Sequence, residues 1–157
     1  MPSGIVDLVL FSLAVTPAAL IDLRERRIPD FLLVYGLLLA LWRASGREAP
    51  RLLDDLLAGG MGLAVFGCVW YFSRGKMGLG DVKFALVIGV FTGVAGLCAA
   101  VFAAASLGLL FAVVVIAIDP RRARARIPFA PFLSAGGAAA MVARLARWPG
   151  FLFGSAP

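Results

Sequence analysis

From Phe84 to Ile118 the chain runs 35 residues without one charged side chain. A single bilayer crossing uses only about 20 residues. The interval is therefore either one strongly tilted helix with excess length or two short spans joined by a turn. Gly89, Gly93 and Gly96 in "GVFTGVAGLC" supply a turn near its middle, which favours two. The composition agrees with a lipid solvent. Hydrophobic residues make up 62% of the 157 and charged residues only 15%, against about a quarter charged in a soluble domain. Mean hydropathy is +0.97.

Four further apolar intervals can be counted: Leu8 to Ile21 (reaching back to about Pro2 if Asp7 lies at the interface), Phe31 to Trp42, Leu56 to Ser73, and Ile127 to Ala143. The expected fold is all-α, a polytopic membrane protein of six transmembrane helices in one domain, 1–157. Lysines and arginines set its orientation. The loops after helices one, three and five hold ten of them: Arg24, Arg26, Arg27, Arg74, Lys76, Lys83, Arg121, Arg122, Arg124 and Arg126. The opposite side holds five, Arg43, Arg47, Arg51, Arg144 and Arg147. Positive charge concentrates in cytoplasmic loops, so both termini are expected outside. The same rule accounts for the net charge of +6, and no nucleic-acid partner is expected.

Several chemistries drop out. The chain has no histidine, which excludes histidine metal ligands and a Ser-His-Asp triad. Cys68 and Cys98 lie 30 residues apart inside apolar runs, form no metal-ligand pair, and read as small buried hydrophobes. Small residues at four-residue spacing, Ala58 with Gly62 and Gly60 with Ala64, would let helices approach closely.

Most of the nine acidic residues have plain explanations. Asp54 and Asp55 precede helix three, where carboxylates suit a helix N-terminus. Glu48 lies in a polar loop, Asp119 follows helix five, and Asp7 and Asp30 lie near helix starts. Asp22 and Asp81 differ. Asp22 ends helix one, at the negative end of the helix dipole, unless it pairs with Arg26. Asp81 follows Gly78 and Gly80 and opens helix four, where it could serve as an N-cap. Helices alternate direction, so both ends fall on one cytoplasmic face. Two acids meeting at a water–lipid boundary are what an aspartyl protease needs. One holds a proton and polarises the scissile carbonyl, and the other takes a proton from water. Each aspartate's own helix dipole would leave the resting proton on Asp22 and make Asp81 the base.

"DLRERRIPD" (Asp22 to Asp30) resembles the first signature of type IV prepilin peptidases, "GLGDVK" (Gly78 to Lys83) their GxGDxK signature, and "RIPFAPFLSAGG" (Arg126 to Gly137) their third, proline-bearing one. The resemblance implies a GxGD intramembrane aspartyl protease with Asp22 and Asp81 as catalytic acids. Gly78, Gly80, Lys83, Pro128 and Pro131 would line the site or position substrate. It implies no metal or cofactor, and prepilin or pseudopilin precursors as partners at the cytoplasmic face of a bacterial or archaeal membrane. The paired-cysteine region of larger members is missing from this sequence, which is similar to the short, peptidase-only members of tight-adherence (Flp) pilus systems; no methyltransferase activity is expected. Gly78 and Gly80 are expected to let backbone approach the substrate, with glycine free to take positive φ. Pro128 and Pro131 would start the last helix or leave carbonyls lining the site. Lys83 would snorkel to headgroups or hold the field around Asp81. Glu25 and Asp30 could meet a basic leader.

Two other classes compete. A small transporter or proton channel would place its acids within the spans near the midplane. A non-catalytic assembly protein of the same fold would be marked by loss of one aspartate, and both are present. The topology is directly testable: alkaline phosphatase fused after the last helix should be active, and fused in the loop after helix three it should be inactive. The opposite pattern overturns the charge assignment.

Overall fold

The computed structural model describes residues 3–25, 27–74, 77–119 and 129–146, and all regular structure among them is helical. The helices are α1 (Ser3–Glu25), α2 (Asp30–Ser45), α3 (Ala49–Phe72), α4 (Leu79–Ile118) and α5 (Ala130–Leu145). Three of them, α1, α3 and α4, are long and apolar enough to cross a bilayer. The two others have 16 residues each. Helix α3 starts earlier than expected, with Pro50 in its first turn, where a missing N–H costs nothing. Asp54 and Asp55 therefore lie inside α3 and not ahead of it.

The long apolar interval is neither one smooth helix nor two helices with a loop. Within the 40 residues of α4 Gly93 alone leaves helical geometry, at φ 69° and ψ 175°. Gly89 and Gly96 remain helical. The packing of α5 gives the course of the two runs. Along the first run α5 is parallel: Gly137 meets Ile88, and Arg144 lies beside Gly93. Along the second run it is antiparallel: Gly136 packs on Ala100, and Phe132 stacks on Phe111 at 5.6 Å. The second run thus heads back toward the end from which the first began.

A break of this kind frees a carbonyl and an amide, which in hydrocarbon must be paired inside the protein. Here charged side chains do it. Arg43 on α2 donates through Nη1 to the Val90 carbonyl at 3.0 Å, and the Val94 amide donates to Asp54 Oδ1 at 3.4 Å. A cation thus caps the C-terminal end of the first run and an anion the N-terminal end of the second, the signs that the helix dipole favours. Arg43 also sits over the Phe91 ring, 5.3 Å from its centroid.

These caps belong to one ion network. Arg43 pairs with Asp7 of α1 at 3.0 Å and with Asp55 at 3.6 Å, Arg47 pairs with both aspartates, and Arg144 of α5 reaches Asp54 at 4.0 Å. Three arginines balance three aspartates. The Arg43 and Asp55 side chains are 3% and 1% exposed. The reading of Asp7, Asp54 and Asp55 as incidental helix-start acids is corrected here: they join four helices at one end of the bundle.

Elsewhere small residues set the spacing. Lipid gives helices no hydrophobic reason to associate, so close contact does the work. Gly62 packs on the Ala85 backbone and Gly89 on Ala58. Ala58 is fully buried, as expected of an interface, but Gly60 meets nothing and Ala64 is exposed. The cysteine expectation also fails, since Cys68 and Cys98 are both exposed. They sit among outward-facing large apolar residues such as Val69 and Phe102, a surface suited to lipid.

Arg43→Met should lower the stability of the purified protein by about 3–5 kcal/mol, because buried carboxylates and a carbonyl lose their cation. Gly93→Ala should lower it by about 1–3 kcal/mol, through positive φ and collision with Asp54. Thermal melts in mild detergent check both, and a wild-type melt for either contradicts the capping account.

Candidate active site

At the other end of the bundle lie residues 22–25, 27–30 and 78–83. Asp22 is in the last turn of α1 and only 5% exposed. On its own helix this is a poor place for a charge, and the structure supplies the compensation. Oδ2 of Asp22 accepts the Ala130 amide at 3.3 Å, the first residue of α5. The carboxyl that ends α1 therefore caps α5, satisfying one of the amides that every helix start leaves unpaired. Arg26, the alternative partner, lies outside the described residues, as does Pro128.

Asp81 lies in the first turn of α4, where Gly78 is the N-cap. It is thus not the N-cap itself, and its amide donates to the Gly78 carbonyl at 3.1 Å. The side chain is half-buried, and its segment touches the one that follows Asp22 through Gly80 and Ile28. Both acids consequently sit at helix N-termini, Asp81 at that of its own helix and Asp22 at that of a neighbour. The expected placing of the proton considered only each residue's own helix and omitted α5, so it loses its basis.

The expected room beside Asp81 applies to Gly78, whereas Gly80 faces the linker, and neither needs positive φ. Gly78 has φ −70°, and Gly93 is the only glycine with positive φ among the described residues. A Cβ at Gly78 would stand 3.5 Å from Asp81 Oδ2, an ordinary contact, so Gly78 lies directly beside that carboxyl. At Gly80 a Cβ would stand 3.2 Å from Ile28 Cβ, so here glycine admits the linker between α1 and α2. Pro131 occupies the first turn of α5, next to the amide that holds Asp22, and so helps start that helix. Phe129, just before that amide, stacks on Phe66 of α3 at 5.9 Å.

Lys83 is the clearest departure. It neither extends alone to the headgroups nor faces Asp81; its Nζ pairs with Asp30 Oδ1 at 2.6 Å. Glu25 pairs with Arg27 at 3.1 Å. Asp22, Asp81, Gly78 and Gly80 thus lie at one end of the bundle, Pro131 adjoins the amide that holds Asp22, and Lys83 is engaged by Asp30. Sequence reasoning missed the Ala130 amide, the Ile28 contact and the Asp30 pair. Charge complementarity between the two signature segments was the signal for the last.

The Asp22 geometry predicts two different outcomes for folding. Asp22→Asn keeps an acceptor for the Ala130 amide and should melt like wild type. Asp22→Leu leaves that amide unpaired and should cost about 1–3 kcal/mol. Equal melting of both would contradict the capping role.

Compared with known proteins, residues 8–113 match the model of the type IV leader peptidase family, more than half of the chain and including both aspartates. No curated protein and no solved structure gives a significant match.

Proposed function

Since this chain belongs to the type IV leader peptidase family, we propose that it is an aspartyl endopeptidase that removes the basic leader from type IV prepilin-like or pseudopilin precursors, after a glycine, at the cytoplasmic face of the membrane. Asp22 and Asp81 are its catalytic acids. The observation that supports this reading is the placing of these two acids at one end of an apolar bundle, Asp22 buried and Asp81 half-buried, on segments that touch through Ile28 and Gly80 and through Asp30 and Lys83.

Two carboxyls so placed cannot both ionise easily, so the pair shares one proton. The protonated member donates a hydrogen bond to the scissile carbonyl. The ionised member takes a proton from water as its oxygen attacks that carbon, and the tetrahedral intermediate collapses when the leaving nitrogen is protonated. The pair ends the cycle with one proton again. Gly78, open beside Asp81, gives room for a substrate strand in extended form. The apolar helix that follows the cut stays in the bilayer, and the basic leader remains at the interface.

The transporter reading finds its best support in the buried ion network of Arg43, Asp7 and Asp55. With Arg47 its charges pair with one another, and Arg43 in addition holds the Val90 carbonyl at a helix end, which suits a structural role better than that of a carrier.

The test mixes purified protein in detergent with a prepilin-type peptide and reads products by mass spectrometry. Cleavage should fall after the glycine, and Asp22→Asn and Asp81→Asn should each lower the rate by a factor on the order of 1,000 or more. Full cleavage by either variant overturns the mechanism.

A further inference from the structure

We propose that Asp30 and Lys83, together with Ile28 and Gly80, form a two-point latch that keeps Asp22 in register with Asp81. Its kinetic consequences rest on the peptidase reading above. The need for a latch follows from the packing. Helices α1 and α4 carry the two acids yet touch one another little, chiefly where the Phe11 ring meets Phe91 at 5.5 Å near the opposite end of the bundle; α1 packs mainly on α2 and α5, and α4 on α3, α5 and α2. Their relative position must be set through other elements. One route is α5, whose first amide holds Asp22. The other is the linker into α2, and there the two signature segments run against each other. Ile28 packs on Gly80, one residue before Asp81, and Asp30 pairs with Lys83, two residues after it. The contacts bracket Asp81 on both sides in sequence. Asp30 also opens α2, where an anion suits the helix start.

The two contacts differ in kind. The ion pair is exposed, 51% for the Lys83 side chain and 77% for Asp30, so neutralising it shifts an equilibrium by no more than about fivefold. The Ile28–Gly80 contact is steric. A shift of this size matters only because catalysis depends on sub-ångström placement of reacting groups.

The experiment has a kinetic arm and a chemical arm. Asp30→Asn and Lys83→Met should each lower kcat by about three- to fivefold with KM nearly unchanged. The charge reversals Asp30→Lys and Lys83→Asp should cost more, and the exchanged double variant should recover to within about threefold of wild type. Gly80→Ala should lose activity that Ile28→Ala restores. An exchange no better than the worse single variant overturns the latch. So does a rise in KM seen for Asp30 variants alone, which would make Asp30 a contact for the leader. The second arm needs no turnover. A zero-length carbodiimide should join the Lys83 amine to the Asp30 carboxyl in native membranes, with loss of one water, read by peptide mass. Lys83 is one of only two lysines, so the product is unambiguous. No cross-link, with Lys83 still open to an amine reagent, overturns the latch. A protein that cross-links but cuts no leader peptide supports the latch contact and contradicts the peptidase reading instead.

Discussion

A helix that breaks in hydrocarbon leaves backbone groups with nowhere to turn but the protein itself. In this chain the break at Gly93 depends on Arg43 and Asp54, which take the freed Val90 carbonyl and Val94 amide. Without that pairing the apolar stretch would be a single rod about 60 Å long, far more than a bilayer holds. With it, the second run folds back beside α5. The first run is then short enough to have Asp81 at one end of the bundle and the ion network at the other. Buried charge, often a sign of ion transport, serves here as helix capping.

The opposite end uses the same device with different partners. Asp22 would be poorly placed if α1 stood alone, because its carboxyl meets the negative end of its own helix dipole. The start of α5 reverses that, supplying the Ala130 amide. Asp81 stands in the first turn of α4. A site made from helix ends is held by several elements at once, which suits a pair of acids whose separation has to be kept.

Some of this could be read directly from residues. The uncharged run from Phe84 to Ile118 pointed to a membrane and favoured a turn over one tilted helix, and glycines marked the turn's neighbourhood, although the structure bends at Gly93 alone. Asp22 and Asp81 stood out because helix alternation puts their ends on one face. Other features were not legible. Helix α4 is apolar on every side, so no periodicity tells which face meets lipid; the same lack of contrast hid the exposure of Cys68 and Cys98. The Ala130 amide carries no side-chain signal at all. The ion network did leave a trace: Arg43 and Arg47, four residues apart, point at the end where Asp7, Asp54 and Asp55 also lie. Charges buried in a membrane bundle nearly always have partners, and that rule, applied to arginines as well as aspartates, would have found it.

The central claim is that the carboxyls of residues 22 and 81 face one another in the membrane-embedded protein. The most direct measurement replaces Cys68 and Cys98 with serine, introduces Asp22→Cys and Asp81→Cys, and treats native membranes with a short bifunctional thiol reagent. The account predicts an intramolecular cross-link between the two new thiols. If each thiol reacts with a monofunctional reagent and no cross-link forms, the two side chains do not share a site.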